Sequence, residues 1–233
     1  LWNALADGAR NTLAVGAAAA SVGVVVGVVT LTGVGFRLGY VVVQTATDMG
    51  GFVSAIWPLS VFTITQWALF FSLLLIAIAC IIMGAGIPTT ATYIILVAVA
   101  APALAQLQVE PLVAHFFVFY YGVLADITPP VALAAYAAAG IAGSNPFKTG
   151  NTAFRLGIAK ALVPFVFVYS PALLLVADGF TWAAFTVTLV GAMLGIACLG
   201  AAFSGFLLAP LPAWQRWWTA LVSFLFIAPG LQT

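Results

Sequence analysis

The chain has 233 residues, 65% of them hydrophobic and 5% charged, with a net charge of +1 and a mean hydropathy of +1.24. A soluble domain carries about 25% charged residues, so lipid must serve as the solvent for much of this chain. The near-neutral charge offers nucleic acid nothing to bind. Two cysteines without CxxC or Cys/His spacing give neither a disulfide framework nor a metal site. Cys80 and Cys198 both lie in apolar runs and read as packing residues. The opening LWNALADGAR is no signal peptide, and with Leu1 in first place the chain reads as the later part of a longer polypeptide.

A helix spans a bilayer with about 20 mainly apolar residues. Residues 11–33 supply one, rich in Ala, Val and Gly and bracketed by Arg10 and Arg37. Its small side chains favour close contact between helices. Residues 36–65 differ: Arg37, Asp48, Pro58 and several Thr and Gln suggest an interfacial arm with partial helices. Residues 66–84 are strongly apolar and stop at GAGIPTT (84–90), and a second apolar run follows over 91–105. Such Gly-Pro punctuation fits a kinked span or a hairpin that turns inside the membrane. Beyond QLQVEP, residues 112–124 and 131–142 flank ADITPP (125–130). The adjacent prolines remove two amide donors and disfavour helix at Thr128, so one broken span is the economical reading.

Residues 143–155 read as a polar loop, 156–177 and 181–203 as two spans, and 214–229 as a last short span. Trp214, Trp217 and Trp218 would anchor that last span at the interface. The organisation is thus a first transmembrane helix with its flank (1–35), an arm (36–65), a hairpin with a broken helix (66–150) and C-terminal helices (151–233). With 66–105 as a re-entrant hairpin, Arg10, Lys148, Arg155, Lys160 and Arg216 share one side and Arg37 stands opposite. The positive-inside rule makes the populated side cytoplasmic, so the hairpin opens outward; two full crossings would leave the same parity.

Two stretches carry the chemistry. GAGIPTT and ADITPP each place Gly or Pro with Thr hydroxyls inside apolar surroundings. Irregular backbone survives at membrane depth only where protein or a polar cavity covers it. Transporters use such breaks, because freed carbonyls and hydroxyls make a hard-oxygen cage for Na+, and half-helix N-termini hold an anionic solute. Asp126 has two readings: a carboxylate facing a cavity or ion, or a cap on the half-helix that starts after Thr128. His115 reads as an interfacial residue or a proton carrier, and the aromatic run 116–121 as packing. Thr30 and Thr32 add hydroxyls to the site or bond back to their own helix. No HExxH, GxSxG or Walker A pattern occurs and there is one His, so enzymatic and ATP-driven readings find no support.

Four blocks carry a resemblance: VGVVTLTGVG (26–35), MGAGIPTTATYIILVAVAAPAL (83–104), HFFVFYYGVLADITPPVALAAYAAAGIAGSNPFKTG (115–150) and RLGIAKALVPFVFVYSPALLL (155–175). On these the chain resembles the large permease subunit of tripartite ATP-independent periplasmic (TRAP) transporters. The match is closest to the fused branch that works with TAXI-type binding proteins. The resemblance implies an all-α polytopic protein of the bacterial inner membrane. It would be an elevator-type transporter half, with one re-entrant hairpin and one broken transmembrane helix.

The resemblance also implies import of a small organic anion, commonly a carboxylate, delivered by a periplasmic binding protein and driven by Na+ or, in some members, H+. No covalent cofactor is implied. The Na+ cage would draw on Gly84, Gly86, Thr89, Thr90 and Thr128, with Pro88, Asp126, Pro129 and Pro130 on the substrate side. An inverted-repeat transporter needs two hairpins and two broken helices. One of each is found here, so the remaining N-terminal half of the permease is an expected partner beside membrane lipid. The competing readings are a pore, for which no filter-like repeat is apparent, and a structural subunit without a site of its own.

Overall fold

Residues 2–56, 63–84, 87, 89–175 and 180–226 are described in the computed structural model of the chain. Their apolar runs become helices, the form in which a single segment satisfies its own backbone in lipid. α1 (Trp2–Thr32) runs for 31 residues, about 46 Å at 1.5 Å per residue, and α2 (Val34–Ile56) follows at once. Between them Gly33 takes φ +65°, and the axes of Gly23–Val29 and Val34–Ile56 differ by 66°. α3 (Ile64–Gly84) opens on a capping box: Thr63 N–H donates to Gln66 Oε1 at 2.8 Å, and Gln66 N–H to Thr63 Oγ1 at 3.3 Å. α4 (Thr89–Gln106) completes the first half.

The chain divides into two units, Leu1–Ile76 with Ile87–Gln108 and Ala77–Gly86 with Val109–Thr233. In the first, α2 lies on α4 through the buried Gly35 and Gly39, while Gly50, also buried, faces Trp67 and Ala68 of α3. Pro102 inside α4 has no N–H for the carbonyl of Ala98, four residues back. That oxygen faces Gly35, where an added Cβ would sit 2.6 Å away. At Gly39 a Cβ would meet the Ala103 backbone at 3.1 Å. Backbones approach this closely only where side chains are absent. Arg37, Gln44 and Asp48 are exposed. The polar residues that suggested partial helices are therefore the outer face of one unbroken 23-residue helix. Pro58 lies outside the described residues.

The second unit holds α5 (Pro111–Ala125), α6 (Leu133–Ala142), α7 (Pro146–Gly157), α8 (Val163–Tyr169), α9 (Trp182–Ser204) and α10 (Ala213–Leu225). Short 3-10 segments at Ile158–Leu162 and Pro171–Leu174 flank α8. α5 buries Phe117 and Val118 completely. The aromatic run packs as expected: Phe116 and Tyr120 meet Phe167, and Phe117 and Tyr121 meet Phe165, with centroids 5.8–6.4 Å apart. Tyr121 O–H donates to the Ala161 carbonyl at 2.6 Å, so the phenol keeps a partner in an apolar setting. A further cluster joins Ala159, Leu162 and Val166 to Ala192 and Leu199 of α9.

Two expectations are corrected. The polar loop over 143–155 is largely the helix α7, with Gly143 at φ +63° closing α6, Asn145 Oδ1 accepting from Lys148 N–H at 3.1 Å, and Pro146 in the first turn. Its polarity is that of one face, not of a loop. The span over 156–177 is assembled from the end of α7, the 3-10 segments and α8, with 176 and 177 outside the described residues. The last helix is described for 13 residues, about 20 Å against a hydrocarbon core of about 30 Å, and residues 227–229 are not among those described. Among the described residues four helical stretches are long and apolar enough to cross a membrane: Ile64–Gly84, Thr89–Gln106, Pro146–Tyr169 and Trp182–Ser204. Counting the bent pair as one span raises the number to five.

Candidate functional site

The break between α5 and α6 follows from which amides are missing. In a continuous helix the carbonyls of Ala125 and Asp126 would accept from residues 129 and 130, but both are prolines. Ala125 O accepts instead from Thr128 N–H at 3.0 Å, and Asp126 O reaches eight residues on, to Ala134 N–H at 3.1 Å. Leu124 O takes both Ile127 N–H at 3.2 Å and the Thr128 hydroxyl at 2.8 Å. Thr128 O accepts from Ala132 N–H at 3.1 Å. The carbonyls of Ile127 and Pro129 take part in none of these bonds.

Ala134 N–H is the donor that Pro130 O would have used, and the Tyr136 hydroxyl takes its place, donating to Pro130 O at 2.7 Å. Ala132, fully buried, holds φ +35°, ψ +49° as the N-cap of α6. A non-glycine residue in that left-handed region costs roughly 1–2 kcal/mol. The break is thus a defined conformation and not a frayed end.

Asp126, Thr128, Pro129 and Pro130 therefore lie together in one stretch, the first three partly buried and Pro130 exposed. Asp126 does not cap the second half-helix. It is the C-cap of α5, while α6 starts from Ala132 without a side-chain cap. The part of Asp126 that binds the second half-helix is its carbonyl.

Gly84 is the buried last residue of α3. Thr89, partly buried, and Thr90, exposed, open α4 in the other unit, while Gly86 and Pro88 lie outside the described residues. The Thr32 hydroxyl bonds back to Val28 O at 2.6 Å, as helical Thr commonly does, and the Thr30 side chain is outside the described residues.

Two polar residues at these breaks escaped the sequence reading. Thr92, 2% exposed, donates from its hydroxyl to Ile87 O at 3.2 Å and ties down the backbone before α4. Tyr136 supports the break after α5, and its one signal is that it is the hydrogen-bonding side chain within an alanine run. Among the described residues no three His, Cys, Asp or Glu side chains gather as they would around a transition metal. The oxygens on offer are carbonyls and hydroxyls, ligands suited to a hard cation. An open groove of about 670 Å³ beside α9 and α10 is lined by Val187, Val190, Leu194, Val222 and Leu225, a lining for hydrocarbon and not for a charged solute.

Residues 1–182 match the family model described as tripartite ATP-independent periplasmic transporter, DctM component. No curated protein and no solved structure matches the chain. The match covers well over half of the 233 residues, and with four or five apolar helices among its described residues the chain belongs to the DctM family as a multi-pass membrane protein of a transport system.

Proposed function

We propose that the chain is the permease part of a Na+-driven importer of an organic anion, in the bacterial inner membrane, supplied by a TAXI-type periplasmic binding protein. The observation that carries this reading is the break at 126–130, where two prolines release carbonyls inside an apolar segment and hydrogen bonds hold the released backbone in one shape. In this reading the Ile127 and Pro129 carbonyls and the Thr128 oxygen, whose proton is engaged with Leu124, present lone pairs to Na+. Gly84, Gly86, Thr89 and Thr90 supply hairpin ligands. The organic anion is assigned to Pro88, Asp126, Pro129 and Pro130, drawn by the N-terminal end of α6. Asp126 is also the group that would take the proton in a proton-coupled variant of the cycle. No bond of the solute is made or broken; the remaining half of the permease and the binding protein complete the machine.

The reading is tested by titrating Na+ against solute uptake, with the complete permease and its binding protein in proteoliposomes. Thr128→Ala and Thr89→Ala should each raise the Na+ concentration for half-maximal uptake roughly tenfold or more, the worth of one charge-assisted contact. An unchanged Na+ dependence in both variants removes the hydroxyls from the cage. Uptake indifferent to Na+ but abolished by Asp126→Asn assigns the coupling to protons.

A further inference from the structure

α7 meets the break through two glycines. Gly150 is buried, and a Cβ there would lie 2.8 Å from Tyr136 Cε1 and 3.5 Å from the Ala132 methyl. Gly157, seven residues on and so on the same face, leaves room for the Ile127 side chain, whose Cδ1 an added methyl would overlap. Phe147, on the same face as Gly150, flanks the Tyr136 ring at a centroid distance of 6.3 Å. The opposite face carries Lys148, Asn151, Thr152 and Arg155, all exposed. The glycines are thus not spacers in a loop. They are seats for two side chains that belong to the break itself.

We infer that α7 is the splint of the break: Gly150 and Phe147 hold the Tyr136 ring, Tyr136 fixes the Pro130 carbonyl, and Gly157 seats Ile127 beside Thr128. Tyr136 and Gly150 are positioning residues for the cation site, an assignment that rests on reading the break as that site. Pro130 has no N–H, so Asp126 O takes Ala134 N–H, so Pro130 O has only the Tyr136 hydroxyl in place of its helical partner. Without that hydroxyl the Pro130 carbonyl turns to another donor, and the backbone from 127 to 130 turns with it. A methyl at Gly150 has the same consequence by another route, because a rigid ring cannot yield as a flexible chain end can, and its shift takes the hydroxyl away from Pro130.

The test is Na+-specific thermal stabilisation of the purified complete permease, titrated with NaCl against choline chloride at constant ionic strength. Wild type should be stabilised saturably by Na+ alone. Tyr136→Phe, which keeps the ring, should raise the Na+ midpoint roughly fivefold. Gly150→Ala should match it, and the double variant should be little worse than either, since both act through one bond. Ile141→Ala, at a position 91% exposed, should leave the midpoint in place. A lowered melting temperature in choline with an unchanged Na+ midpoint in Tyr136→Phe makes the tyrosine merely structural and overturns the inference while sparing the site. A wild type indifferent to Na+ overturns the reading of the break and this inference with it. If Gly150→Ala does not fold, Tyr136→Phe decides alone.

Discussion

Arg216 shows how little a charge count says about a charge's work. From the sequence it is one of five basic residues that set the side of the membrane. In the fold its Nε donates to Ala202 O at 2.7 Å and Nη2 to Phe203 O at 3.3 Å, two of the carbonyls that the end of α9 leaves without helical donors. Gly205 at φ +74° turns the chain there, and an added Cβ would lie 3.5 Å from the guanidinium carbon. Capping and helix dipole act in the same direction. Arg216→Gln should cost about 1–2 kcal/mol, read as a lower melting temperature in detergent, with Arg216→Lys recovering part of it. An unchanged melting temperature for Arg216→Gln would leave the residue only its topological role. None of this pairing was legible, because the two partners are 14 residues apart across a turn that composition does not specify.

Helices were legible where hydropathy alone decides and illegible where one face decides. α3, α4, α5 and α9 follow from apolar runs and their punctuation. α7 was misread because it shows polar residues on one side and very small ones on the other, and small residues look like loop in a sequence; the partial helices expected within 36–65 are one helix as far as Ile56. For α7 the signals were present as Gly143-Ser144-Asn145-Pro146, a helix stop followed by a cap and a first-turn proline. The mixed make-up of α8 and its 3-10 flanks owes something to Pro164 and Pro171, which deny helical donors within a single apolar run. The α2–α4 contact makes its own prediction. Gly35→Ala places a methyl 2.6 Å from the Ala98 carbonyl, which is backbone and cannot step aside. Thermal unfolding should show a loss of about 1–3 kcal/mol, larger for Gly35→Val. Gly51, whose added Cβ would meet nothing within 4 Å, should accept Ala with little change.

In the molecule as a whole, the membrane character came from composition and the break from two adjacent prolines, so both were open to sequence reasoning. The tether that shapes the break was not. Tyr136 replaces a donor that was diverted because another donor is missing, a chain of three substitutions that appears only when each carbonyl is followed to its partner. The candidate ligands gather as far as 126–130 is concerned; Gly86 and Pro88 lie outside the described residues, and Thr89 and Thr90 belong to a different unit. What unites them is the proposed cycle, in which the cation gradient drives accumulation of the solute.

That cycle is best tested by accumulation itself, in proteoliposomes holding the complete permease and its binding protein, with labelled mono- and dicarboxylates outside. Under an inward Na+ gradient the internal solute should rise above the external concentration, and it should not do so when Na+ is equal on both sides. Solute that merely equilibrates, whatever the gradient, would contradict coupled transport and make the broken helix part of a pore.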